Sequence, residues 1–190
     1  MTRDNSTLSI TIDRPAARNA IDAPLRDALN EAFSLAALDP DVRRVKLRST
    51  GKAFSVGADL GEFGTTRDPA NAHGIRALTL PAYPLSRCGK IVDCHVQGAC
   101  VGSGLEMVAF AGRITAAPSA WFQLPELAMG LIPGAGGTIS VPRRIGRQRA
   151  ALMILSGRRV NAATALRWGL IDAIVDQPPV DPGRADPDRS

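Results

Sequence analysis

Two stretches of this chain each join a glycine-rich turn to one glutamate at the start of a helix. They are KIVDCHVQGACVGSGLEMVA over Lys90–Ala109 and FQLPELAMGLIPGAGGT over Phe122–Thr138. Glycine at such corners removes side-chain bulk and opens backbone conformations closed to other residues. Segments can therefore approach closely there, and the backbone N–H groups are left accessible. An earlier turn, GKAFSVGADL over Gly51–Leu60, has the same character.

Around these turns the pattern alternates between strand and helix. Leu8–Ile12, Val42–Leu47, Ile91–Val96, Arg113–Ala117 and Leu170–Val175 read as strands, with a short one at Ala53–Val56. Asp22 is placed to cap a helix through Leu38, with Pro24 in its first turn and an apolar face of Leu25, Ala28, Leu29, Ala32, Phe33 and Ala36. Asn71–Leu85 is expected to be helical with a break near Pro81, and Ser103–Ala111 to be a helix after a turn at Gly98–Gly104. Short helices follow Pro133 as far as Trp168. This alternation is the α/β class. At 190 residues the chain suits one globular domain, able to bury roughly 70% of its unfolded surface. The core is expected to span residues 1–176. The proline- and charge-rich stretch over 177–190 reads as a disordered tail.

Net charge is +5, and all but three of the 23 basic residues are arginines. Arg143, Arg144, Arg147 and Arg149 form the densest group. Such an excess suits a phosphate-bearing ligand or simply a solvated surface. Aromatic residues are only 4%, and no nucleic-acid-binding motif is present. Cys88, Cys94 and Cys100 are odd in number and lack C-x-x-C spacing, which points to reduced thiols in the cytoplasm and not to a disulfide framework or a zinc site. The N-terminus shows no signal-peptide core, and no apolar run approaches the ~20 residues of a membrane span.

Taken singly, Glu106 is explained by a capping box with Ser103, and Glu126 by an acidic first turn behind Pro125. Together, and beside the glycine turns, they form an acid/base pair next to freed amides. The N–H groups of Ala58 and Ser103 can converge on one oxygen, and the helix start at Ser103 adds its positive end there. That set suits the enolate of a thioester. The glycines do not fit dinucleotide binding: Gly134-Ala-Gly136-Gly137-Thr138 breaks the G-x-G-x-x-G spacing and has no P-loop lysine. Ser103 with His95 and Asp93 could be imagined as a nucleophile, base and orienting acid, although Asp93 and His95 simply share one strand face. His95 otherwise reads as a hydrogen-bonded interior residue and His73 as a surface helix residue.

The segments RPAARNAI (Arg14–Ile21), GKAFSVGADL, VQGACVGSGLE (Val96–Glu106) and LPELAMGLIPGAGGT (Leu124–Thr138) resemble the enoyl-CoA hydratase/isomerase, or crotonase, family in order and spacing. The resemblance runs from about Leu8 to Val175. It implies a spiral of ββα units, an oxyanion hole formed by the amides of Ala58 and Ser103, and Glu106 and Glu126 as the catalytic carboxylates. Ser103 stands where glycine is common in the family. Coenzyme A, carried in as part of the substrate, is expected to contact Ala16, Ala17, Arg18, Ala58, Asp59, Leu60, Gly102, Pro133 and Gly134. No metal or redox cofactor is implied. Both glutamates together favour reversible addition of water to a 2-enoyl-CoA. Isomerisation or another crotonase reaction, and a non-catalytic acyl-CoA-binding homologue, are the alternatives. Phe63, Leu78 and Tyr83 are candidates for the acyl pocket. Family members usually continue into a helical segment that covers the site and builds trimers. This chain ends at Ser190 without it, so the expected homo-oligomer would assemble in an altered way. The polar residues Asp93, Cys94 and His95 sit in a strand that the family usually makes apolar.

Overall fold

Five parallel strands stack side by side, and the sharp corners between them begin a second, transverse ladder. The structure is a computed structural model and describes residues 1–65, 68, 74 and 78–176. The main sheet contains β1 (Thr2–Asp4), β2 (Thr7–Ile12), β3 (Arg44–Ser49), β4 (Val92–Val96), β6 (Arg113–Ala116) and β9 (Ala173–Ile174), in that order. Only β1 runs antiparallel. The register puts Leu8 beside Val45, Val45 beside Val92, and Cys94 beside Ile114. These inward residues are buried, and alternation sends Thr7, Ser9, Lys46, Arg48, Asp93, His95 and Thr115 to the other face.

The transverse ladder begins as single parallel bridges, Ile21 with Ala58 and Ser55 with Cys100. It continues as β5 (Ala99–Val101) parallel to β7 (Trp121–Gln123), and closes on β8 (Val160–Asn161), which pairs antiparallel. Successive turns of the chain thus extend both ladders, which is the expected spiral of α/β units. Two expectations need correcting. Gly98–Gly104 is not one continuous turn, because residues 99–101 pair with residues 121–123 as soon as Gly98 has turned the corner. The strand expected at Ala53–Val56 is reduced to the bridge at Ser55.

The helices pack outside these ladders. α1 (Ala23–Leu38) is capped by Asp22, whose side chain accepts from Leu25 N–H, and of the expected apolar face buries Leu29, Ala32, Phe33 and Ala36, while Leu25 is half-buried and Ala28 is exposed. α2 (Ala82–Cys88) packs against α1. α3 (Ser103–Val108) ends three residues earlier than expected. α4 (Gly137–Ile145), α5 (Arg147–Ser156) and α6 (Ala162–Trp168) complete the chain to β9. The helix expected over Asn71–Leu85, the surface position of His73 and the tail over 177–190 fall largely or wholly outside the described residues. The polar run in β4 has a physical cause. Asp93 is held by Arg44, His95 Nδ1 lies 3.0 Å from Thr115 Oγ1, and the Cys94 thiol points into the core.

A buried asparagine ties the first turn of the spiral together. Asn19, fully buried at positive φ, accepts from Arg14 N–H through Oδ1 and donates through Nδ2 to the carbonyls of Thr50 and Ala53, each at 2.8 Å. Ser55 Oγ–H donates to its carbonyl. Asn19→Ala would strand the Arg14 N–H and the Thr50 carbonyl and leave the Ala53 carbonyl only the long contact from Ser49 Oγ, 3.4 Å, so urea unfolding is expected to show a loss of about 2–4 kcal/mol.

Candidate active site

The spiral's corners open onto a cavity of about 280 Å³. Ala58, Gly102, Ser103, Glu106 and Glu126 all line it, as do Leu60 and Gly134. The corner at Gly57–Ala58 lies against the corner at Val101–Ser103. A Cβ built on Gly102 would sit 3.7 Å from Gly57 Cα and 2.9 Å from Glu126 Oε1. Gly102 also holds φ +52, a conformation that favours glycine. Any side chain there would displace the carboxylate from the two turns.

The bridge geometry decides where the Ala58 amide goes. In that bridge Ile21 N–H donates to Gly57 O, and Asp59 N–H donates to Ile21 O. Ala58's own N–H takes no part, because in a parallel pairing it is directed away from that partner. Ser103 is the first residue of α3, so its N–H belongs to the initial amides that have no partner within the helix. No side chain caps α3. The capping box expected between Ser103 and Glu106 is therefore not formed, and Ser103 Oγ is buried without a hydrogen-bond partner.

Glu106 is engaged elsewhere. Its Oε2 accepts from Ala135 N–H at 2.8 Å and from Gly137 N–H at 2.7 Å. A Cβ on Gly137 would lie 2.5 Å from Glu106 Cγ, so the cradle requires glycine at that position. Ser140 Oγ–H donates to the Glu106 carbonyl and fixes α4 against α3. Burial pushes the Glu106 carboxyl up to about 7; the two amides oppose that rise and the nearby Glu126 adds to it. Glu126 leads a short 3₁₀ turn, Glu126–Met129, with Pro125 just before it instead of inside it. Burial raises its carboxyl too, and Oε2 is buried with no donor. A hydrogen bond from its own backbone N–H opposes part of that rise.

The other residues singled out in the sequence fall into two groups. Ala16, Ala17, Arg18, Asp59 and Pro133 do not line the cavity. Ala16 and Ala17 form a 3₁₀ turn on Pro15, Arg18 follows at positive φ, and the Asp59 carboxylate pairs with Arg14 at 3.2 Å. Of the acyl-pocket candidates Phe63 lines the cavity, while Leu78 and Tyr83 are exposed. Leu80, Met107, Met129, Leu131 and Ile132 supply the apolar wall instead. Ala135 and Gly137, which hold Glu106, carry no side-chain signature and escape sequence reasoning. His95 does not line the cavity, so the serine-nucleophile arrangement is not assembled. Among the described residues there is no cluster of three metal-ligating side chains, and no helix is long and apolar enough to cross a membrane. Cys88, Cys94 and Cys100 are buried and unpaired.

Comparison with known proteins identifies the family. Residues 2–181 match the family model described as enoyl-CoA hydratase/isomerase. The chain is 36% identical over 178 residues to a mevalonyl-coenzyme A hydratase of Beauveria bassiana, a match covering 90% of this chain and 64% of that protein. It is 35% identical over 181 residues to a carnitinyl-CoA dehydratase of Salmonella enteritidis, covering 93% and 67%. The chain thus spans about two thirds of the length of these relatives. A solved enoyl-CoA hydratase from Thermoplasma volcanium superposes with a TM-score of 0.81 at 33% identity, covering 93% of this chain and 71% of that one. The fold is the crotonase fold, and the chain belongs to the enoyl-CoA hydratase/isomerase family.

Proposed function

We propose that the protein adds water reversibly to a 2-enoyl-CoA thioester. The observation that carries this reading is the meeting of two buried carboxylates, Glu106 and Glu126, in one apolar-walled cavity beside the amides of Ala58 and Ser103. Two of its relatives, named as a hydratase and a dehydratase of CoA thioesters, fit the same chemistry.

In this mechanism the thioester oxygen accepts hydrogen bonds from the two amides, and a water molecule lies between the carboxylates. Glu106, ionised, takes a proton from the water as its oxygen bonds to the β-carbon. The electron pair of the double bond moves onto the thioester oxygen, where the amides stabilise the enolate. Glu126, protonated, then delivers its proton to the α-carbon as the carbonyl re-forms. Water is consumed, the proton count of the pair is unchanged because Glu106 gains the proton that Glu126 loses, its return to Glu126 resets the pair, and no redox partner is needed. The CoA portion is assigned to the turn Ala16–Arg18, to Ala58–Leu60 and to the Gly102 and Pro133–Gly134 corners, and the apolar wall to the acyl chain.

The direct test is loss of the conjugated enoyl-thioester absorbance when the protein meets crotonyl-CoA. No decay with a folded protein and a range of 2-enoyl thioesters would remove the hydratase reading. The pH profile gives a second check. A carboxyl raised by burial holds its proton until the pH passes its folded-state value, here about 7 for Glu106. The base form is therefore lost as pH falls, and kcat/KM is expected to drop with an acid limb centred near neutrality instead of near ordinary carboxylate values.

A further inference from the structure

A second cavity lies outside the one described above, at the N-terminal edge of the main sheet. Arg43 just before β3, Arg44 at its start, Lys90 just before β4, and Arg113 at the start of β6 line it together with Asp93. Four cations thus face one carboxylate. Asp93 is 6% exposed and sits in register between Lys46 and Arg113. Adjacent strands are ~4.8 Å apart, so arginines on either side of β4 are brought onto the same carboxylate.

The ion pairing is arranged asymmetrically. Asp93 Oδ2 takes Arg44 Nη2 at 2.5 Å and Arg113 Nη1 at 4.0 Å, while Oδ1 is buried without a partner. The carboxylate therefore anchors the Arg44 guanidinium from below by a hydrogen bond and holds the Arg113 guanidinium by charge alone. Their remaining N–H groups, with Arg43 and Lys90, are outside that pairing. Both arginines stay about half exposed. The crowding is felt next door: burial lowers the Lys46 ammonium, and Arg44 and Arg48 lower it further.

We propose that this cavity is a binding site for a phosphate dianion, either free or as a phosphomonoester. Planar guanidinium forks held in place by a buried carboxylate match phosphate oxygens in pairs, and Lys90 adds a point charge. Exposed single ion pairs are weak and screened, so a multivalent anion contacting several of the four cations is the ligand class that this charge density selects. The site is separate from the acyl-thioester cavity and does not depend on the hydratase reading.

Calorimetric titration with inorganic phosphate at constant ionic strength tests it. Saturable one-to-one binding is expected, weakened at least tenfold by Arg43→Gln with Lys90→Gln. Both residues are exposed and neither pairs with Asp93, so the fold is retained, which circular dichroism checks. A control pair of equal charge, Arg147→Gln with Arg158→Gln, should bind as the parent does. Glycerol 3-phosphate binding at least as tightly as phosphate identifies a phosphomonoester site, and weaker binding identifies free phosphate; both support the proposal. No saturation, equal loss in both pairs, or tighter binding of duplex DNA lost in the same double variant would each overturn it.

Discussion

Glu126→Gln is expected to lower the proposed hydration of crotonyl-CoA by about 10²–10⁴-fold, the range for losing a positioned acid, while KM changes little. The amide keeps the size and burial of the side chain but has no proton to give to the α-carbon. The environment points to the same outcome. Glu126 Oε2 has no donor and burial raises the carboxyl, so the glutamine strands no partner on that oxygen and places no new charge. Glu106→Gln falls in the same range for a different reason. Its Oε2 is committed to the Ala135 and Gly137 amides, and an NH₂ group turned towards those amides would clash donor against donor. The glutamine oxygen must occupy that position, leaving NH₂ where the water's proton acceptor should be. Equal loss of affinity and rate in both variants would instead mark the carboxylates as structural.

The second large effect is on stability. Gly98→Ala is expected to cost about 4 kcal/mol, combining strain at a left-handed position with overpacking. Gly98 holds φ +56, and a Cβ there would lie 2.0 Å from the carbonyl oxygen of Lys52. Both obstacles are backbone, so no side-chain rotation relieves them. The corner it makes sends the chain from β4 into β5, and its carbonyl accepts from Trp121 N–H. Domains of this kind have only ~5–15 kcal/mol in total. Urea unfolding should therefore show a sharply lowered midpoint, and a midpoint near that of the parent would contradict this role for the corner.

How much was legible in the sequence depended on where the signal lay. α1 was readable because three independent cues coincide: Asp22 as cap, Pro24 in the first turn, and a face of Leu29, Ala32, Phe33 and Ala36. The strands of the main sheet were readable from apolar alternation. β5 and β7 are only three residues long, too short for any period to register, and they form because the main sheet delivers their ends together. The paired glutamates stood out against the glycines around them. The cradle of Glu106 did not, since a donated backbone N–H leaves no trace in residue identity. Asn19 was hidden for the opposite reason: one polar residue in a loop looks solvated until three chain segments close over it. The polar run at Asp93–His95 became intelligible only once β3 and β6 supplied Arg44 and Thr115 from distant parts of the chain.

The spiral also bears on how the chain reaches its native state. Every pairing from β2 to β9 in the main sheet is parallel, so each must wait for the return of a crossover segment. β2 and β3 alone are separated by the whole of α1. The loop-closure entropy comes before the contacts that repay it. Acquisition of structure is therefore expected to be slow for a domain of this size, in the millisecond-to-second range typical of non-local topologies. Edge strands left unpaired over that interval are open to association with other chains, so recovery after denaturation should fall as protein concentration rises.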